Sequence, residues 1–196
     1  MPERHPLIIS LTPLGLVGLL LRGKRAGLAH SVRRLPELAV PHTMSLTSPS
    51  FGHGAPIPLR HIGIRSGGTN TSPALAWQTP AGTRELLLVI EDTDAPTKRP
   101  IIHTAALIPA TLSSLVEGEL IGGNTRLRHI PGYRERTGYH GPGPLPGHGT
   151  HHYGFHLFAL DRSVPAGIPL ASIDDVLPHT QGRVLAHGLL TGTAKA

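Results

Sequence analysis

Glycine and proline interrupt this chain so often that no long regular element fits between them. The 196 residues include 24 glycines and 20 prolines, and both residue types break helices and mark turns. A hydrophobic fraction of 39% is still enough for a folded core. We therefore expect one domain of short strands and many turns, with room for a small appendage.

The apolar pattern predicts where the main strands lie. Residues Glu85 to Glu91 read ELLLVIE, and an apolar run of this length is too short for a helix and fits a strand buried on both faces. Residues 101–108 and His152 to Leu160 are further strand candidates, and Arg60 to Arg65 is a shorter one. In the tail, Ile173 to Leu190 predicts a helix, because acidic residues stand near its start.

These elements indicate a mainly β fold: a two-sheet, antiparallel, Greek-key-like sandwich with a few short helices, including an N-terminal and a C-terminal helix. We divide the chain into an N-terminal helical and basic extension, residues 1–43, and a domain, residues 44–196. The amino-acid composition changes near Met44, where a connection that contains prolines is followed by a Ser/Thr-rich stretch.

The N-terminal extension contains an apolar run from Leu7 to Leu21, which is 15 residues long. A bilayer span needs about 20 apolar residues, so we expect an amphipathic helix from Pro13 to Leu21 that docks on the domain. The basic residues at 22–25 follow the run, whereas a secretory signal carries its positive charge before it. A cytoplasmic location is therefore expected, with a cleaved signal as the open alternative.

Charge and composition limit the classes of molecule that the protein is expected to bind. The formal net charge is +6, which favours anionic partners. Aromatic residues make up only 4% of the chain and no nucleic-acid-binding motif is present, so nucleic acid is not expected. The absence of cysteine excludes disulfides, thiolate metal sites and a cysteine nucleophile.

Ionisable residues concentrate beside the predicted strands, where loops build sites. Asp92 and Asp94 follow the first buried strand, and alternate residues of an extended chain project the same way. With His103 and His151, they would form a pocket able to accept a phosphate monoester. The alternative is a turn capped by its own aspartate.

The stretch from Gly138 to His148 reads GYHGPGPLPGH, so it cannot form regular structure. Glycine lets backbone N–H groups approach an anion, although a rigid surface loop explains the composition equally well.

Metal and hydrolase chemistry find weaker support. Four histidines, at 140, 148, 151 and 152, lie close in sequence, but His151 and His152 are adjacent and point to opposite faces of a strand. The chain has no HExxH and no GxSxG motif. We therefore expect no metal, no cofactor and no assigned catalytic residue.

Five short segments, in order, resemble the phosphatidylethanolamine-binding protein family, which includes Raf-kinase-inhibitor-like proteins of bacteria and fungi. The segments are Asn70–Trp77 (NTSPALAW), Asp92–Pro96 (DTDAP), His103, Tyr139–Pro144 (YHGPGP) and Gly149–Tyr153 (GTHHY). The resemblance runs from about Ser45 to Gly192. Thr93 stands where the family has proline, and His152 where it has arginine.

The resemblance implies two antiparallel sheets with a C-terminal helix, and a small pocket for phosphate, acetate or a phosphorylethanolamine headgroup. Its lining would be Asp92, Asp94, His103, His151 and Tyr153, with Gly141 and Pro142 at the mouth.

We expect a binding protein of this kind rather than an enzyme, one that recognises a small anion or phospholipid headgroup and modulates a kinase or protease. The alternative function is a phosphoester or carboxylester hydrolase with His151 or His103 as general acid/base. Further expected partners are a membrane surface, touched by the basic N-terminus, and a second copy of the chain.

Overall fold

The computed structural model describes residues 12–196. Within this range the regular elements are one α-helix and eight strands. They are α1 (Pro13–Leu20), β1 (Leu46–Thr47), β2 (Leu75–Trp77), β3 (Glu85–Asp92), β4 (Ile101–Pro109), β5 (Ser114–Leu115), β6 (Arg128–Ile130), β7 (Thr150–Leu160) and β8 (Val184–Lys195). Single 3₁₀ turns lie at Leu28–His30, Val32–Arg34, Leu59–His61, Ile64–Ser66, Tyr133–Glu135, Ile173–Asp175 and Leu177–His179.

The strands form two sheets in which every pairing between strands is antiparallel. The larger sheet has the order β6-β4-β3-β7-β8, and the smaller has the order β1-β2-β5. The prediction of a mainly β protein with two antiparallel sheets and few helices is therefore confirmed.

Strand β3 lies at the centre of the larger sheet and is buried along its whole length, as its sequence predicted. Leu86, Leu88 and Ile90 belong to the core shared with the smaller sheet. Leu87 and Val89 belong to a second core, on the outer face of the larger sheet, which residues of the N-terminal extension and of the 164–177 segment cover. An unbroken apolar run is the consequence of two covered faces.

The predicted C-terminal helix is wrong. The segment contains two 3₁₀ turns and then the long edge strand β8. Burial alternates along β8, with Ala186, Gly188, Leu190 and Gly192 as the inward positions. A side chain at Gly192 would overlap Ile57, so the small residues that disfavour a helix are needed here for close packing.

The short strand predicted over Arg60–Arg65 is also wrong, because the chain forms 3₁₀ turns there. Pro58 precedes the first turn, and Gly67 ends the second in the left-handed conformation, with φ of 87°. Glycine adopts that conformation without steric cost.

The N-terminal helix is present, but it does not dock through an apolar face as predicted. Thr12 caps it by accepting from the Gly15 N–H at 3.2 Å, and Pro13 occupies its first turn. The buried residue is Gly18, whereas Leu20 is 85% exposed. The helix therefore docks through a glycine face, and its leucines point outward. Residues Leu7 to Leu11 of the apolar run lie outside the described residues.

Replacing Gly18 by alanine tests this docking. A Cβ at Gly18 would overlap the carbonyl oxygen of Pro146, whereas one at Gly23 would meet nothing within 4 Å. Alanine is intrinsically the better helix former, so any loss must come from the blocked contact, at about 1–3 kcal/mol for overpacking. We expect Gly18→Ala to speed amide exchange of residues 13–22 about tenfold or more. Equal exchange in Gly18→Ala and the Gly23→Ala control would contradict the docking.

Two partly buried histidines predict acid sensitivity. Burial lowers the pKa of His187 to about 4, helped by His156 and Arg33, and burial with nearby positive charge lowers the pKa of His140 to about 4. Between pH 6.5, the ordinary value, and pH 4 the unfolded chain binds more protons than the folded one, so stability falls as the pH falls. In urea titrations over this window, we expect His187→Gln to lose less stability than wild type, and the exposed control His53→Gln to behave as wild type. A slope unchanged by His187→Gln would disprove this assignment.

Candidate functional site

The antiparallel register of the central strands gathers four of the predicted site residues. Asp92 ends β3, where it pairs with Tyr153 of β7 on one side and Ile101 of β4 on the other. His103 and His151 therefore lie near Asp92 although they are distant in sequence. Asp92, His103, His151 and Tyr153 are each at most 4% exposed.

The His151 imidazole is held from both sides. Its Nδ1 lies 2.8 Å from Asp92 Oδ2, and its Nε2 lies 2.7 Å from His148 Nδ1. The Nε2 of His148 in turn lies 2.8 Å from the Leu21 carbonyl oxygen. A carbonyl only accepts, so His148 donates from Nε2 and, when neutral, accepts at Nδ1. A proton shared between His148 Nδ1 and His151 Nε2 then completes a hydrogen-bonded chain that runs from the Leu21 carbonyl through both rings to the Asp92 carboxylate.

His103 has the opposite character. Its Nδ1 donates to the carbonyl oxygen of His140 at 3.1 Å. Burial lowers the pKa of His103, although the Asp92 carboxylate opposes that shift. A neutral ring that donates from Nδ1 offers Nε2 as an acceptor. The ring also contacts the Tyr153 ring edge-on, with 5.4 Å between centroids.

The Tyr153 hydroxyl is the unsatisfied group of the cluster. It is fully buried, and although the Asp92 carboxylate and the Gly143 backbone lie close to it, no group among the described residues meets hydrogen-bond geometry with it. Burial raises the pKa of Tyr153, and the charge of Asp92 raises it further, so the group stays a neutral O–H donor. A buried donor without a partner points to a bound molecule or an ordered water.

Gly141 and Pro142 hold the neighbouring loop in place. The Gly141 N–H donates to Asn70 Oδ1 at 2.8 Å, and the Pro142 carbonyl oxygen accepts from the Gly63 N–H at 2.8 Å. Both residues are buried. They fix the backbone that presents the His140 carbonyl to His103.

Asp94 is not brought into this cluster. Its carboxylate contacts Arg25 at 2.6 Å and His152 Nδ1 at 2.6 Å, and its N–H donates to Asp92 Oδ1 at 2.9 Å. The alternative interpretation of the segment, a turn capped by its own aspartate, describes this backbone. Burial alone would raise the pKa of Asp94, but hydrogen bonds from His152 and Arg25 outweigh it and hold that pKa below its usual range.

The positions of His151 and His152 agree with the alternation of a strand, since His151 is buried and His152 is exposed. His152 stands where the resemblance leads one to expect arginine. The guanidinium that reaches Asp94 comes instead from Arg25 in the N-terminal extension, which also donates to the Thr150 carbonyl oxygen at 3.1 Å. Sequence reasoning missed this contact because nothing local links positions 25 and 94.

The contact between His148 and His151 was also missed, although their spacing offered a signal. His148 was considered only as a metal ligand, whereas His151 was also assigned to the pocket. Within residues 12–196, no three histidine, aspartate or glutamate side chains are placed to hold a metal ion together.

Comparison with known proteins agrees with the fold described above. The family model described as phosphatidylethanolamine-binding protein matches residues 47–195. A UPF0098 protein of Mycobacterium tuberculosis is 37% identical over 142 residues, which are 72% of this chain and 64% of the relative. LppC of the same organism, provisionally named a lipoprotein, is 37% identical over 117 residues, which are 60% of this chain and 55% of its own.

These alignments span less than two thirds of the relatives' own lengths. Among solved structures, Escherichia coli YbcL, described as a new member of the mammalian PEBP family, superposes with a TM-score of 0.70 at 26% identity, covering 78% of this chain and 98% of YbcL. The segment that the family model matches, residues 47–195, contains both sheets except Leu46 of β1. It also contains Asp92, His103, His151 and Tyr153, which we call the Asp92–His151 cluster. The chain belongs to the phosphatidylethanolamine-binding protein family.

Proposed function

We propose that the cluster of Asp92, His103, His151 and Tyr153 binds a small anionic group, such as phosphate or the phosphate of phosphorylethanolamine. The observation that carries the proposal is the buried Tyr153 hydroxyl without a partner among the described residues. The Tyr153 ring that carries this hydroxyl lies near two imidazoles. The distances between ring centroids are 5.4 Å to His103 and 6.4 Å to His151.

The four groups are chemically complementary to such a ligand. The Tyr153 O–H supplies a donor for a phosphate oxygen, and His151, whose nitrogens are engaged by Asp92 and His148, holds Asp92 in place. The neutral His103 can accept from the O–H of a monohydrogen phosphate, and Asp92 can meet an ammonium group. A zwitterionic headgroup would then contact Tyr153 and His103 through its phosphate and Asp92 through its ammonium group.

The hydrolase alternative gains no support from the geometry. Both nitrogens of His151 already have partners, in Asp92 and His148, so of these two histidines only His103, through its Nε2, is left to act as a general base. The chain has no GxSxG nucleophile motif to work with that base. We therefore favour binding over turnover.

Isothermal titration with inorganic phosphate and with phosphorylethanolamine tests the proposal. Tyr153→Phe removes only the hydroxyl, and a hydrogen bond to a charged group contributes about 1.5–3 kcal/mol, so we expect affinity to fall about tenfold or more. His151→Ala should abolish binding, whereas the exposed His53→Ala should not change it.

Wild-type titrations without heat, or a Tyr153→Phe variant that binds as wild type, would refute the proposed site. A p-nitrophenyl phosphate assay run in parallel separates the alternative, since turnover lost in His103→Ala would favour the hydrolase.

We also propose that the N-terminal extension touches acidic membrane surfaces. No helix in residues 12–196 is long and apolar enough to cross a bilayer. Helix α1 nevertheless exposes leucines, including Leu16 at 45% and Leu20 at 85%, directly before Arg22 and Lys24. Apolar side chains beside basic ones suit the interface of an anionic membrane.

Vesicle flotation tests this contact. Wild type should float with phosphatidylserine vesicles and much less with phosphatidylcholine vesicles. The double variant Leu16→Ser/Leu20→Ser should lose flotation, while Leu59→Ser, which changes a leucine 64% exposed elsewhere on the surface, should retain it. Flotation that is equal for both variants would exclude α1 as the contact.

The remaining partners stay predictions of the family resemblance: a kinase or protease modulated by the protein, and a second copy of the chain. A cytoplasmic location stays a prediction as well, and a relative provisionally named a lipoprotein supplies the competing one.

A further inference from the structure

A cavity lies on the opposite face of the larger sheet from the Asp92–His151 cluster. Side chains alternate along a strand, so Glu91 faces away from Asp92, and His152 and His156 face away from His151. The cavity has a volume of about 450 Å³, within the range of small-molecule sites, about 300–1,000 Å³. We call it the outer cavity. Its lining is Arg25, Gly27, Leu28, Ser31, Arg33, Glu91, Thr93, Asp94, His152, Gly154, His156, Leu189 and Thr191.

The outer cavity exists because the N-terminal extension crosses this face of the sheet. The Ala26 N–H donates to the Ala95 carbonyl oxygen at 2.9 Å, and the Gly27 N–H donates to the Thr93 carbonyl oxygen at 2.8 Å. These bonds hold the wall that carries Leu28, Ser31 and Arg33 above strands β3, β7 and β8. The family model begins only at residue 47, so this wall is an addition to the matched domain.

The floor of the outer cavity is polar and fully paired. The Glu91 carboxylate, 0% exposed, accepts from the Ser31 hydroxyl, from the Val32 N–H at 3.1 Å and from His156 Nε2 at 3.0 Å. His156 Nδ1 lies 3.0 Å from His187 Nε2. A buried carboxylate with three donors is stable where it stands. It leaves no spare charge for a ligand.

The rim supplies the charge that remains available. Arg25 is engaged by Asp94 at 2.6 Å, whereas Arg33 has no ion-pair partner among the described residues. Leu28, from the N-terminal extension, and Leu189, from β8, contribute apolar side chains to the lining, and Gly154 of β7 lines it without a side chain. A guanidinium binds a carboxylate in a bidentate way.

We propose that the outer cavity binds a small organic acid, with its carboxylate on Arg33 and its apolar body between Leu28 and Leu189. The binding is independent of the anion proposed for the Asp92–His151 cluster, because the two sites lie on opposite faces of the sheet. The ligand class follows from Arg33, whose guanidinium has no ion-pair partner within residues 12–196, in a lining that also contains the apolar side chains of Leu28 and Leu189.

Octanoate is a suitable probe, and octanol is its uncharged control. In a titration of ¹⁵N-labelled full-length protein followed by NMR, octanoate should shift the amides of Gly154, Leu189 and Thr191. Octanol should bind at least about tenfold more weakly, because it lacks the charge that Arg33 pairs with.

The matched variants are Arg33→Ala and Arg34→Ala. Both change an arginine of the same 3₁₀ turn, but Arg34 is exposed and does not line the outer cavity. Arg33→Ala should weaken octanoate binding about tenfold or more, and Arg34→Ala should leave it unchanged. Thermal unfolding of each variant confirms that it is folded.

His151→Ala separates this proposal from the proposed function. It should abolish phosphate binding and leave octanoate binding intact. Loss of octanoate binding in His151→Ala, equal effects of the two arginine variants, or no binding to wild type would each overturn the outer cavity as an organic-acid site.

Discussion

The register of β3 between β4 and β7 is the constraint on which the rest of the structure depends. Because β3 is central, its backbone is paired on both edges and its side chains are covered on both faces. The strand ends on two acidic residues, and their alternation sends Asp92 to one face and Glu91 to the other. Each carboxylate then organises a buried histidine, His151 for Asp92 and His156 for Glu91. A slip of one residue would exchange the two faces and dismantle both pairs.

The N-terminal extension depends on the same sheet and contributes to both faces. On one face its Leu21 carbonyl fixes His148, which fixes His151. On the other, Ser31 and the Val32 N–H complete the donors around Glu91. Arg25 joins the two regions through Asp94. The extension therefore supplies hydrogen-bond partners to both faces of the larger sheet.

Several features could be predicted because they depend on local chemistry. The unbroken apolar run of β3 can be stable only between two covered faces, and the glycine-rich loop at 138–148 cannot form regular structure. The family motifs identified Asp92, His103, His151 and Tyr153, and the register gathers them. The tail was mispredicted, because acidic residues near a possible helix start are a weak signal beside the packing of Gly188 and Gly192 against neighbouring segments. Asp94 was assigned to the cluster from strand geometry, but the backbone turns there, and its side chain follows the turn.

The sequence by itself determined the fold class, the family and the position of the central strand, since these follow from apolar periodicity and from short motifs in order. Tertiary structure alone decided the partner of each charged group. Arg25 on Asp94 and Ser31 on Glu91 are contacts between residues far apart in the chain, and the outer cavity is a space between the N-terminal extension and the larger sheet. Periodicity indicates which face of a strand a side chain takes. The distances between side chains on different segments are set only when the whole chain has packed.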